Sequence, residues 1–167
     1  MGRRRVHVAV SGGGDADEAA CRLAGDVGRE LARLGAVVVT GGLGGAMEAA
    51  SRGAKAAGGT TLGILPSGDY DDANEWVDVV VPTGLGEARN ALLVRTADAL
   101  IAVAGEFGTL SEIAFALKLG KPVVGLATWE LVRNGRPVSG IVAAATPADA
   151  AERAVALATR RAPPTGS

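Results

Sequence analysis

Short apolar runs alternate with stretches of helical periodicity along most of the chain. The apolar runs predict strands near residues 6–10, 36–40, 60–65, 77–81, 98–103 and 122–126. The stretches between them predict helices over 15–34, 44–57, 86–96 and 109–119, and a closing helix is predicted over 147–161. Strands that alternate with helices are typical of an α/β fold with a mainly parallel sheet and helices on both faces.

Several predicted strands are apolar at consecutive positions, as in 37–39 and 123–124. Strands of this kind are expected where both faces of a parallel sheet are covered. Ligands of such sheets bind beyond the carboxyl ends of the strands. The turns that follow the strands are therefore the segments in which we expect a site.

Four predicted strands run directly into glycine-rich turns, at 11–14, 40–47, 82–90 and 104–109. Glycine lets the backbone approach a ligand closely and adopt positive φ. If these turns converge on one crevice, they form a ligand-binding site. No metal ligands are expected in it. The residues predicted to bind ligand or phosphate are Ser11, Gly12, Gly13, Gly41, Gly42, Gly44, Gly45, Met47, Gly84, Gly105, Gly108, Thr109 and Leu110.

The fourth turn combines glycine, a hydroxyl and a carboxylate at a strand-to-helix junction. A helix start leaves backbone N–H groups unpaired and carries a partial positive charge, so it favours phosphate, and Thr109 adds a donor. Glu112 follows one helical turn later, where its carboxylate can point into the same crevice. The alternative is a capping box, in which Thr109 caps the helix and Glu112 bonds back to it.

Two arginines follow the third glycine turn, and they lie six residues apart. On an ideal helix they point in different directions, so at most one faces the crevice. Arg89 is nearer the helix start and is the better candidate, because a guanidinium suits phosphate and carboxylate groups. Arg95 is expected to form a structural ion pair or to border an interface.

The glycine spacing excludes two common nucleotide sites. No turn matches the G-x-G-x-x-G dinucleotide fingerprint cleanly, and no acidic residue ends the second strand to bind a ribose. The Walker A motif with its lysine does not occur either. Tight NAD binding and ATP hydrolysis of the P-loop kind are therefore not expected.

Three motifs in this order carry a family resemblance: Gly41-Gly42-x-Gly44-Gly45-x-Met47, then Glu87-Ala88-Arg89-Asn90, then Gly108-Thr109-Leu110-Ser111-Glu112. Over residues 5–160 the chain resembles the LOG, or lysine-decarboxylase-like (SLOG), superfamily. Within it, the chain is most similar to a short bacterial branch related to molybdenum cofactor carrier proteins. The resemblance implies a Rossmann-like three-layer fold and self-association as a homodimer or larger assembly.

The resemblance also implies an activity. LOG members with a PGGxGTxxE motif are phosphoribohydrolases that cleave cytokinin nucleoside 5′-monophosphates. Glu112 matches their catalytic glutamate and Arg89 its partner arginine, while Gly108 and Thr109 match the phosphate-binding turn. This chemistry requires no cofactor. Nothing in the chain marks a lysine for pyridoxal phosphate, so decarboxylation is discarded.

Two departures from the family motif favour a second hypothesis. The chain has Ala104-Gly105-Glu106 where the motif has Pro-Gly-Gly, and Asn90 replaces the usual lysine. Both changes reduce the positive potential expected near a phosphate. The alternative function is therefore a carrier or sensor that binds a nucleotide or a molybdopterin-type ligand without turning it over.

Composition bounds the remaining possibilities. A chain of 167 residues with 48% hydrophobic residues and a formal charge of -1 is expected to form one domain, over 6–161, without attraction for nucleic acid or membrane. Residues 1–5 are expected to be a basic flexible flank and 162–167 a disordered tail. One cysteine and one histidine make a metal site unexpected. The first strand is too short for a secretory segment, so a cytoplasmic location is predicted.

Overall fold

A seven-stranded parallel sheet forms the centre of the computed structural model, which describes residues 4–161. The strand order is β4-β3-β2-β1-β5-β6-β9, and a separate antiparallel hairpin joins β7 and β8. The strands are β1 (His7–Ser11), β2 (Val37–Thr40), β3 (Thr60–Leu65), β4 (Val79–Pro82), β5 (Ala99–Val103), β6 (Val123–Leu126), β7 (Val132–Arg133), β8 (Arg136–Pro137) and β9 (Ile141–Ala143).

Five helices cover the two faces of the sheet. They are α1 (Glu18–Arg33), α2 (Ala46–Ala56), α3 (Arg89–Thr96), α4 (Phe107–Lys118) and α5 (Pro147–Arg161). Helices α1, α2 and α5 pack on one face, and α3 and α4 pack on the other. The predicted Rossmann-like three-layer α/β fold is thereby confirmed.

Alternate residues of one strand contribute to different apolar layers. Val8 and Val10 of β1 pack with the layer of α1, α2 and α5, whereas Ala9 between them packs with the layer of α3 and α4. All three side chains are fully buried or nearly so. Burial on both faces explains why the strands are apolar at consecutive positions.

The direction in which the sheet grows reverses at β1. This strand pairs with β2 on one side and with β5 on the other, and both pairings are parallel. The carboxyl ends of β1, β2 and β5 therefore lie together at one edge of the sheet. In open α/β sheets a ligand crevice forms at such a reversal.

The structure differs from the sequence prediction in several elements. Strand β9 and the β7–β8 hairpin were not predicted, because their segments are too short to show a periodic pattern. The helix predicted over 86–96 divides into a 3-10 turn at Gly86–Ala88 and α3, because Gly86 has a φ of 55°, which an α-helix excludes. Helix α4 begins at Phe107, two residues before its predicted start.

The two described arginines of the N-terminal segment are anchored to the body of the protein. Arg4 pairs with the Asp98 carboxylate at 2.7 Å, and Arg5 donates to the Gly35 carbonyl and the Thr60 hydroxyl. Both side chains are exposed and each contacts the body of the domain. Residues 1–3 and the predicted tail at 162–167 lie outside the described residues. No helix between residues 4 and 161 is long and apolar enough to cross a membrane.

Helices α1 and α2 approach each other so closely that two glycines leave no room for a β-carbon. At Gly53 of α2, a β-carbon would lie 1.9 Å from the Gly25 carbonyl oxygen of α1. At Gly28 of α1, a β-carbon would lie 2.0 Å from the Ala50 carbonyl oxygen of α2. At Gly25, one turn earlier, it would lie 3.4 Å from the Ala49 carbonyl oxygen, which is close to ordinary contact. The helix pair therefore depends on the missing side chains at Gly28 and Gly53, whereas Gly25 has room for a β-carbon.

We expect Gly28→Ala to lower the free energy of unfolding by about 1–3 kcal/mol, because the added methyl group must push the two helices apart. Urea unfolding measures this change. Gly25→Ala on the same helix is the matched control and should leave stability unchanged or slightly higher, since alanine favours the helix. Equal effects of the two substitutions would show that the close approach does not limit packing.

Candidate functional site

A cavity of about 260 Å³ opens beyond the carboxyl ends of β1, β2 and β5. It occupies the edge of the sheet at which the strand order reverses. Its walls come from the glycine turns after β1 and β2, from the start of α3 and from the first two turns of α4. The lining residues are Val10, Ser11, Gly12, Gly13, Gly41, Leu43, Met47, Pro66, Glu87, Arg89, Asn90, Glu106, Gly108, Thr109 and Glu112.

The Glu112 carboxylate lies in the wall of this cavity and is almost completely buried, with 9% of its side chain exposed. The Ser11 hydroxyl, at the end of β1, donates a hydrogen bond to Glu112 Oε2. Arg89, the first residue of α3, places its Nη1 3.9 Å from Glu112 Oε1. One carboxylate thus joins the end of a strand to two helices.

Burial sets the electrostatics of this group. It raises the pKa of Glu112, because a charged carboxylate is poorly solvated there, while the Ser11 hydrogen bond and the Arg89 charge act in the opposite direction. The pKa of Arg89 is lowered overall, because burial lowers it more than the negative charge of Glu112 raises it. The separation of 3.9 Å is long for a direct hydrogen bond, so the two charges compensate each other only in part.

The Arg89 guanidinium rests against the backbone of Gly41, in the turn after β2. A β-carbon at Gly41 would lie 2.3 Å from Arg89 Nη1, so only glycine leaves room for the guanidinium. Arg89 Nε is buried and has no hydrogen-bond partner among residues 4–161. A buried N–H donor without an acceptor is costly. The Arg89 side chain lines the cavity, where a guanidinium suits an anionic group.

The start of α4 forms another wall of the cavity. Its N-cap residue is Glu106, whose side chain makes no capping hydrogen bond. The first N–H groups of a helix have no acceptor within it. Thr109 lies inside the first turn rather than at the cap, and Glu112 bonds to Ser11 instead. The capping-box hypothesis for these two residues is therefore wrong.

An asparagine holds the start of α4 in place. Asn90 Nδ2 donates to Ser111 Oγ at 2.9 Å, and Ser111 Oγ donates to the Gly108 carbonyl oxygen at 2.7 Å. The residue that replaces the lysine of the family motif therefore joins α3 to α4. Asn90 therefore helps to position the start of α4 and adds no charge to the site.

A second asparagine holds the glycine turn after β2. Asn74 Nδ2 donates to the carbonyl oxygens of Gly42 and Leu43, at 3.2 and 2.9 Å. Asn74 follows the acidic 3-10 turn Tyr70–Asp72, whose three residues are exposed.

No group of three or more potential metal ligands occurs in the part of the chain that the structure describes.

The structure brings most of the predicted site residues to this cavity. The predicted residues in its wall are Ser11, Gly12, Gly13, Gly41, Met47, Arg89, Gly108, Thr109 and Glu112. The predicted residues outside its wall are Gly42, Gly44, Gly45, Gly84, Gly105 and Leu110. Gly84 is exposed, and its turn precedes the 3-10 segment that separates it from Arg89.

Several lining residues were not predicted as site residues. Val10 lies near the end of β1, Leu43 lies inside the glycine turn after β2, and Pro66 follows β3. These positions bring all three residues to the wall. Apolar residues at such positions carry no chemical signal in the sequence. Glu87 belongs to the second family motif, Glu87-Ala88-Arg89-Asn90. Its place in that motif was the one signal in the sequence that could have identified Glu87 as a site residue.

The charged groups of the wall have unequal exposure. Arg89 and Glu112 are buried, whereas Glu87 and Glu106 are exposed. The two exposed carboxylates place negative charge at the mouth, while the guanidinium lies inside. An anionic group is therefore attracted at depth and repelled at the entrance.

Comparison with known proteins assigns this arrangement to a family. The model of the SLOG cluster4 family matches residues 5–152. The chain belongs to this family. It is also 46% identical over 121 residues to an uncharacterized protein of Archaeoglobus fulgidus, a match that covers 72% of this chain and 80% of that protein.

Solved structures of related proteins share the fold of this SLOG protein. The molybdenum cofactor binding protein from the phototrophic bacterium Rippkaea orientalis has a TM-score of 0.82 and 37% identity, covering 91% of this chain and 96% of that one. The Moco carrier protein from Chlamydomonas reinhardtii has a TM-score of 0.82 and 34% identity, covering 94% and 99%.

Replacement of Glu112 should change how stability depends on pH. The raised pKa means that the folded state binds the carboxyl proton more tightly than the unfolded state. The stability from this proton is fully present below the ordinary glutamate pKa of 4.5 and is lost as pH rises through the folded value. Relative to Glu112→Gln, the wild type should lose up to about 1.4 kcal/mol per pH unit in that window.

Urea unfolding at a series of pH values from about 4 to 8 measures this difference, a range chosen to extend above the usual glutamate pKa. Glu87→Gln is the matched control, since it removes an exposed carboxylate of the same cavity and should leave the wild-type curve unchanged. Parallel curves for wild type and Glu112→Gln would contradict the raised pKa.

Proposed function

We propose that the protein binds a phosphorylated small molecule in the cavity and acts as a carrier of a molybdopterin-type ligand. The observation that carries this proposal is the buried Arg89 guanidinium, which has an unpartnered Nε and lies in one wall with the start of α4. The two structures described above, of a molybdenum cofactor binding protein and a Moco carrier protein, support it.

The ligand phosphate would lie between Arg89 and the start of α4. The guanidinium offers donors in a fork that suits phosphate oxygens. The first N–H groups of α4 and the Thr109 hydroxyl offer further donors, and the helix dipole favours negative charge at this end. Gly108 and Gly41 keep the two walls free of side chains.

Carriage fits the site better than turnover. Cleavage of an N-glycosidic bond needs an ionised carboxylate beside the developing positive charge of the ribose. Burial opposes ionisation of Glu112, and Ser11 occupies one of its oxygens. These features favour a structural role for Glu112 over a catalytic one.

Phosphoribohydrolase activity is the second candidate function. It is favoured by the pairing of Glu112 with Arg89 in the wall of the cavity, which matches the roles that the LOG motif implies. In that mechanism Glu112 would stabilise the ribose cation, and Arg89 would orient the carboxylate and the phosphate. Neither function needs a bound metal or an additional cofactor.

Self-association and a cytoplasmic location remain predictions. A homodimer or larger assembly is supported by two partly exposed apolar residues, Leu92 of α3 and Phe115 of α4, which are 38% and 37% exposed. No affinity for nucleic acid or membrane is expected from the balanced charge of the chain.

We expect Arg89→Met to weaken binding of purified molybdenum cofactor by roughly tenfold to a hundredfold, because a charge-assisted hydrogen bond to the phosphate is lost. Equilibrium dialysis measures the affinity, and thermal unfolding checks that the variant is folded. Arg95→Met is the matched control, since Arg95 is an exposed arginine of the same helix. Equal affinity of wild type and Arg89→Met would contradict the proposed phosphate site.

Release of ribose 5-phosphate from AMP and isopentenyl-AMP distinguishes the two functions. We expect no release by the wild type, because the site holds its ligand and Glu112 is not positioned as a free carboxylate. Release by the wild type that is lost in Glu112→Ala would overturn the carrier proposal and establish a hydrolase.

A further inference from the structure

An exposed aromatic ring stands at the edge of the proposed phosphate site. Phe107 is the first residue of α4, and 74% of it is exposed. Its neighbours Glu106 and Gly108 both line the cavity. The Phe107 ring packs against Trp129, with ring centroids 5.7 Å apart and a tilt of 40°. Aromatic side chains are scarce in this chain, which contains two Phe, two Trp and one Tyr.

Trp129 belongs to the wall of a second cavity, of about 320 Å³, beyond the carboxyl ends of β6 and β9. The wall is formed by residues of the segment after β6, of the β7–β8 hairpin and of β9. Trp129 Nε1 is buried and has no hydrogen-bond partner among the described residues. An indole N–H is usually paired when it is buried, so this donor lacks an acceptor.

The segments that follow β5 and β6 are hydrogen-bonded to each other, and each contributes residues to one of the two cavities. Ala104 and Ala127 follow these strands with φ of 44° and 51°, a region that residues with side chains seldom adopt. The Ala104 N–H donates to the Leu126 carbonyl oxygen at 3.1 Å, and the Thr128 hydroxyl donates to the Ala104 carbonyl oxygen at 2.6 Å. These bonds fix Trp129 relative to the start of α4. Conformations of this kind concentrate at ligand sites.

We propose that Phe107 and Trp129 form the subsite for a flat heteroaromatic ring of the same ligand whose phosphate lies at Arg89. This inference rests on the proposed phosphate site. The exposed face of Phe107 offers a stacking surface, and burial of that face removes apolar area from water. A fused flat ring of the purine or pterin class fits such a surface.

Ribose 5-phosphate, AMP and molybdopterin separate the phosphate contribution from the ring contribution. We expect at least one of the two ring-bearing probes to bind roughly 5- to 150-fold more tightly than ribose 5-phosphate, the range expected for stacking of one ring. Phe107→Ala should remove most of this preference and leave the affinity for ribose 5-phosphate unchanged. Phe107→Tyr should restore the preference, because a flat ring is retained.

Phe115→Ala is the matched control, since it removes the other phenylalanine of α4, which lies about two helical turns beyond the start of the helix. A second measurement uses Trp76→Phe, which leaves Trp129 as the one tryptophan of the chain. We expect the ring-bearing probe to quench its fluorescence and ribose 5-phosphate to leave it unchanged.

The outcomes separate this inference from the function on which it rests. Equal binding of ring-bearing and ring-free probes by the wild type would overturn the ring subsite alone, and so would a preference that Phe107→Ala does not alter. Failure of all three probes to bind, or binding that Arg89→Met leaves unchanged, would overturn the phosphate site.

Discussion

A carboxylate that is removed from water must be matched by donors, and this requirement organises the centre of the molecule. Glu112 is held by the Ser11 hydroxyl and lies near the Arg89 guanidinium. These partners come from the end of β1 and the start of α3, while Glu112 itself belongs to α4. The relative positions of the sheet and of one helix layer are therefore fixed at the same place where the cavity forms. Loss of one partner would leave a buried polar group unsatisfied.

The same arrangement explains what the cavity has left to offer a ligand. Ser11 was predicted to bind ligand directly, but its hydroxyl donates to Glu112, so this donor is already engaged within the protein. The remaining donors are Arg89 Nε and the start of α4. Both suit an anion. Arg89 therefore belongs to the buried pair with Glu112 and also to the surface that we propose for the ligand phosphate.

The sequence predicted the layers of the fold well because apolar periodicity reports burial directly. The strand over Thr60–Leu65 matches its predicted bounds, and the closing helix begins at its predicted residue, Pro147, where the Thr146 hydroxyl accepts from the Asp149 N–H at 3.1 Å. The site was predicted less completely. A T-x-x-E spacing is the same in a capping box and in a buried carboxylate site, and only the position of Glu106 as N-cap decides between them. Contacts such as that of Asn90 with α4 depend on tertiary packing, which no local pattern records.

The position of β1 has a consequence for the order in which the protein assembles. This strand lies in the middle of the sheet and pairs with β2 early in the chain, but its other edge is covered only by the much later β5. During synthesis an apolar strand edge therefore stays open until most of the chain has emerged, and open edges of this kind invite pairing with other chains. Glu112 follows β5 directly, so the cavity is completed only after the sheet has closed around β1. Nascent chains that stop short of β5 leave this edge of β1 unpaired and lack the residues of α4 that line the cavity.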